Sequence, residues 1–78
     1  MRPKIEFVDK HDILNIEFSD APVARTIERH PWAIVDLDEE DKPVSVEILG
    51  ASKVPAYQFL ELLRELADLT PRRLPASA

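Results

Sequence analysis

Two stretches of this chain alternate apolar and polar residues, and they constrain the fold more than anything else in it. They are Asp12-Ile13-Leu14-Asn15-Ile16-Glu17-Phe18-Ser19 and Val44-Ser45-Val46-Glu47-Ile48-Leu49-Gly50-Ala51-Ser52. A period of two sends successive side chains to opposite sides of an extended backbone, so both read as half-buried strands of a small sheet. Both stop at turn-forming residues. Further short runs fit the same pattern. Lys4 to Val8 places Ile5 and Phe7 on one face, and Asp9-Lys10-His11-Asp12 turns it into the next strand, where Leu14, Ile16 and Phe18 share a face. Val23 to Glu28 reads as a weaker third strand, interrupted by Arg29-His30-Pro31. Trp32 to Asp38 reads as a fourth, with Ala33, Val35 and Leu37 facing one way. Val44, Val46 and Ile48 form the inward face of the last strand, after a turn at Glu39-Glu40-Asp41-Lys42 and a Pro43 that suits a strand start.

After Gly50, the only glycine, the period changes to 3.6. Pro55 suits the first helical position, where its missing N–H costs nothing. Ala56, Phe59, Leu60, Leu63, Leu66 and Ala67 form one apolar stripe of a helix over residues 55–69, which Thr70-Pro71 stops. Leu62 and Leu69 widen that stripe to about half the circumference, against the ~100° of an ordinary surface helix. Placed at the margin of the sheet contact, Leu62 and Leu69 are the expected oligomer interface, most simply in a two-fold homodimer.

The expected architecture is therefore α+β: an antiparallel β-meander of four to five strands with one C-terminal helix packed on one face. Residues 1–70 are expected to form a single domain and 71–78 a disordered tail. The expected core is Ile5, Phe7, Leu14, Ile16, Phe18, Val35, Leu37, Val44, Val46, Ile48, Phe59, Leu63 and Leu66.

The length of 78 residues allows one domain. A domain this small buries only about 60% of its unfolded surface, which makes association with a second chain plausible. There is no cysteine, hence no disulfide and no thiolate site. No apolar run reaches the ~18 residues of a membrane span, and Met1-Arg2-Pro3-Lys4 leads into mixed polar sequence, so a cytoplasmic protein away from membranes is expected. The net charge is −5 and unevenly placed: residues 1–50 hold six Lys/Arg against twelve Asp/Glu. An acidic surface repels phosphate backbones and favours a basic protein partner, so direct binding of nucleic acid is not expected. Arg72 and Arg73, beside Arg64, are the exception and read as a solvated end.

The chemistry-bearing residues do not assemble into a motif. Counted from Asp36, an EF-hand would use Asp38, Glu40 and Glu47, but its sixth position needs glycine and holds Asp41, and its flanks read as strands. His11 and His30 stand at no recognised ligand spacing and read as turn residues. No serine lies in a G-x-S-x-G elbow, and one glycine cannot build a phosphate loop. No catalytic, metal or cofactor site is expected, and no reaction is legible. Glu17, Asp36, Asp38 and Glu47 should all point away from the apolar face, and Glu39, Glu40 and Asp41 should extend that acidic surface at the turn. These seven are the expected partner-binding residues, with apolar anchors expected at Trp32, Tyr57 or the helix margin.

Three segments in order, Phe7 to Ser19 with Asp9 and Asp12, Asp36-Leu37-Asp38, and Val46-Glu47-Ile48-Leu49-Gly50-Ala51-Ser52, resemble the domain-of-unknown-function 2283 family. The resemblance covers about residues 5–53. The chain departs from the family's D-x-D-x-x-G turn, having Asp41 where glycine is usual. The resemblance implies a small bacterial or archaeal domain with no assigned catalytic residue, antitoxin-like, paired with a small toxin of the ribonuclease type. The alternative is a homo-oligomeric structural or small-ligand-binding module.

Overall fold

Five antiparallel strands form one sheet: β1 (Lys4–Val8), β2 (Ile13–Glu17), β3 (Arg25–His30), β4 (Ala33–Leu37) and β5 (Pro43–Leu49). Among the described residues one α-helix, α1 (Ala56–Leu69), follows. The computed structural model describes residues 3–69; the tail expected at 71–78 lies outside them. The architecture is the α+β fold that the alternation implies.

The strand order is β1-β2-β5-β4-β3. A hairpin, β1–β2, and a three-stranded meander, β3–β4–β5, are thus joined where β2 pairs with β5 in antiparallel register, Ile16 opposite Val46 and Leu14 opposite Ile48. The chain after β2 crosses to the far edge before the meander begins. Alternation fixes which face each strand buries, but not which strand it lies beside, so this order was not in the sequence pattern.

Strand β3 sits two residues later than the expected Val23–Glu28. The Ala24 N–H donates to the Leu37 carbonyl (2.8 Å), and pairing runs on through a bulge between Glu28 and His30. His30 therefore ends a strand and is not a turn residue. Pro31 and Trp32 make the turn itself. In the β4–β5 turn, the Asp38 carboxylate accepts from the N–H groups of Glu40 (2.8 Å) and Lys42 (2.9 Å). Asp41 takes the left-handed conformation (φ 63°), a geometry that glycine adopts most readily.

The seam between the two halves is clamped at one end. Asp12 is left-handed (φ 54°), its carbonyl accepts from the Ala51 N–H (2.9 Å), and its carboxylate accepts from the Ser52 N–H (2.9 Å) and Ser52 Oγ (2.7 Å). Gly50, also left-handed, makes the turn that brings Ser52 back to Asp12.

The core lies between the helix and β4, β5 and β2: Ala33, Val35, Leu37, Val44, Val46, Ile48 and Ile16 from the sheet, Leu62 and Leu66 from the helix. Three expectations are corrected here. Leu62 is fully buried and so has no surface to offer an oligomer contact, whereas Leu69, expected beside it, is half-buried and packs against the core. The helix rotates to bury the 3–4–3 spacing of Phe59, Leu62, Leu66 and Leu69, which puts leucines rather than Ala56 and Ala67 against the sheet. That leaves Leu60 and Leu63 exposed, and Leu63 is not core. Ile5 and Phe7 are exposed as well, because the helix does not extend over β1.

The rotation is held from the side. Glu65 Oε1 accepts from Arg29 Nε (3.0 Å) and lies 2.9 Å from His30 Nε2, while the His30 ring stacks on Trp32 at 4.9 Å between centroids. This ties α1 to the β3 edge. Hydrogen bonding from Arg29, aided by His30, holds the Glu65 carboxyl below its ordinary pKa against some desolvation. Hydrogen bonds from Ser52 do the same for Asp12.

Three outcomes follow from this packing. Leu62→Ala should cost about 2–5 kcal/mol in urea unfolding, by loss of buried methylenes and a residual cavity, whereas Val23→Ala, at an exposed site, should stay within about 0.5 kcal/mol. Asp41→Gly should be more stable than Asp41→Ala by about 1 kcal/mol, because only glycine is at ease at that φ. Asp12 and Glu65 are depressed carboxylates, so their stabilisation is present above their unfolded pKa values and lost as pH falls. Between about pH 5 and pH 3 the unfolded chain binds protons that the folded one does not. The urea midpoint should drop across that window, and Asp12→Asn with Glu65→Gln should lower it at pH 7 and flatten the drop.

Candidate functional site

The sheet has one face under the helix and one face open. Cross-strand register assigns the open face residue by residue. One row runs Lys4, Glu17, Ser45, Asp36, Thr26; the next runs Glu6, Asn15, Glu47, Ile34, Glu28; a third begins Val8, Ile13, Leu49. Rows like these put side chains about 5 Å apart across neighbouring strands.

Glu17, Asp36 and Glu47 therefore do share one surface, as the alternation implied, and Glu6 and Glu28 join them. Five carboxylates face Lys4 as the one cation of these rows among the described residues. Asp36 sits at the centre and is held in place, accepting from Thr26 Oγ1 (2.6 Å) and Ser45 Oγ (2.8 Å). A carboxylate fixed by two hydroxyls is a preorganised acceptor with lone pairs to spare.

The turn behaves differently. Asp38 does not join the acidic face: the register shifts between Asp36 and Leu37, and the Asp38 carboxylate is spent on the N–H groups of the turn. Asp41 pairs with Arg25, and Glu40 with Lys42 at 2.8 Å. Glu39 is exposed. The turn thus carries less unbalanced charge than its sequence suggests. Asp36, Asp38 and Glu40 diverge, and among the described residues no three His, Cys, Asp or Glu converge as a metal site.

The open face also has apolar residues that the sequence reading passed over. Ile13, Ile34 and Leu49 are half-buried there, with Val8 beside them. They belong to the outward phase of their strands, where an exposed β-branched or leucine side chain reads as unremarkable in sequence. The anchors expected elsewhere are placed otherwise. Trp32 stacks on His30 and packs toward the core, and Tyr57 is exposed on the helix, on the other side of the sheet.

On the helix side, an open groove of about 600 Å³ runs between the end of β2 and the C-terminal half of α1, with Phe18, Leu63, Leu66 and Ala67 as apolar wall and Glu40 and Lys42 at its rim. Among the described residues no helix is long and apolar enough to cross a membrane.

Neither a curated protein nor a solved structure matches the chain. The family described as protein of unknown function (DUF2283) matches residues 4–52, the whole sheet together with the Asp12–Ser52 clamp. That is more than half of the chain, and the chain belongs to this family.

Proposed function

We propose that this chain is a non-enzymatic protein-interaction module whose open sheet face binds a basic protein. The observation that carries this reading is the row geometry: Glu6, Glu17, Glu28, Asp36 and Glu47 on one face, beside the apolar strip of Ile13, Ile34 and Leu49. Carboxylates of one sign steer a cationic partner into encounter and set its orientation. Exposed charges alone give little affinity, since surface ion pairs are worth about 0–1 kcal/mol each. The apolar strip supplies surface that water leaves on contact, which is where affinity comes from. The antitoxin-like reading of the family gives such a partner a concrete form, a small basic toxin of the ribonuclease type that an acidic face would cover. The alternative, a homo-oligomeric structural or small-ligand-binding module, draws on the groove beside Phe18 and Leu63.

The test is co-expression with the product of the neighbouring gene, followed by pull-down and stopped-flow association. Association should slow steeply as salt rises, because exposed charges are screened beyond about 8 Å at physiological ionic strength. Glu17→Lys with Glu47→Lys should slow it about tenfold at low salt with the fold intact. Glu39→Lys, in the turn, should do much less. A neighbour that fails to bind, or binds at a rate indifferent both to salt and to Glu17→Lys with Glu47→Lys, rejects the acidic face.

A further inference from the structure

The two edges of this sheet are built differently. β3, at one edge, is broken by the bulge between Glu28 and His30. It is also tied down at both ends, through Arg25 to Asp41 and through Arg29 and His30 to Glu65. A bulge of this kind blunts an edge against pairing. β1, at the other edge, keeps unbroken register with β2 from Lys4 to Val8. Among the described residues no strand pairs with its outer side.

The ladder shows which main-chain groups β1 leaves open. The Phe18 N–H donates to the Val44 carbonyl of β5 (2.8 Å). Main-chain groups alternate sides along a strand, so those of Leu14, Ile16 and Phe18 point to β5, and those of Ile13, Asn15 and Glu17 point to β1. Opposite these three stand Val8, Glu6 and Lys4. The N–H and C=O groups of Ile5 and Phe7 therefore point out of the sheet. Such a row is a template for another strand.

We propose that this strand is β1 of a second copy, in antiparallel two-fold pairing centred on Ile5. Hydrogen bonds then run both ways between the two Ile5 residues, and from each Phe7 N–H to the Pro3 carbonyl of the other copy. Pro3 has no N–H to give, so the ladder stops there. The charges choose this register. On the open face Lys4 of each copy lies opposite Glu6 of the other, and opposite charges directly across a pair stabilise it. Centring on Glu6 instead sets two glutamates against each other. Centring on Phe7 runs the ladder into Asp9, where the strand has already turned.

The same pairing accounts for the bare side chains of the edge. Ile5 (69% exposed) and Phe7 (49%) lie on the helix side, beside Ile16 and Leu14 of β2. Across the new seam they meet Ile5, Phe7 and Pro3 of the other copy. The apolar side of one five-stranded sheet runs on into the next instead of ending in water. The contact is small, below the ~1,200 Å² of a standard interface, so the dimer forms at high micromolar concentration.

Sedimentation of the full chain should show the mass rising from 8.9 kDa toward twice that value over this range. Hydrogen exchange read by NMR tests the seam itself: the Ile5 and Phe7 amides, open in the single chain, should exchange about tenfold more slowly in the dimer. Lys4→Glu alone and Glu6→Lys alone should each give a monomer at the same concentration. Both should retain the circular dichroism spectrum, since both positions are exposed. An equimolar mixture of the two variants should recover the dimer, because each chain then meets opposite charge at both positions. These masses involve no basic partner, so the outcome is independent of the acidic-face reading. A wild-type monomer at high micromolar concentration overturns the proposal, as does a dimer in which the Ile5 and Phe7 amides exchange freely. A mixture no heavier than either variant alone overturns it too.

Discussion

The pairing of β2 with β5 is the contact on which the rest of this structure depends. A two-stranded hairpin in water is marginal at best, and three strands need a covered apolar face to persist. Here a hairpin and a three-stranded meander become one sheet only along that seam, and only the joined sheet offers Ile16, Val46, Ile48 and Val35 as a continuous floor for the helix. The Asp12 carboxylate closes the end of the seam by taking both the N–H and the hydroxyl of Ser52. Two of the three segments that carry the family resemblance, far apart in sequence, are therefore neighbours in space. Leu14 lies opposite Ile48, and the residues just outside the two strands lock them together.

The helix depends on the seam in turn, yet its orientation is decided at the other edge. An apolar arc covering half a circumference permits more than one rotation about the helix axis. Burying Leu62 and Leu66 rather than Leu63 and Ala67 places more methylenes against β4 and β5 and brings Glu65 over Arg29 and His30. The ion pair with Arg29 is partly exposed and contributes modestly to stability. Its larger effect is on choice, because the alternative rotation would turn Glu65 away from these partners.

This is also why some features were legible in the sequence and others were not. Alternation is a local property, and it placed Ile16, Val35, Leu37, Val46 and Ile48 on the buried face because each strand reports its own two sides. It correctly put Ile5 and Phe7 on that same side. Whether a side is covered is not local: it depends on the width of the sheet against the width of one helix, so Ile5 and Phe7 were counted as core and are exposed. Leu62 and Leu63 differ by one step along the helix, and with a broad stripe the pattern does not choose between them. On the acidic face, Glu17, Asp36 and Glu47 were readable because they lie within strands. Asp38 was not, because an aspartate at a turn can direct its carboxylate to the local N–H groups, and that competition leaves no mark in the period of two. Glu6 and Glu28 were missed for a different reason. Their place beside Glu47 follows from strand order, which brings β1 and β3 to opposite edges of the same face.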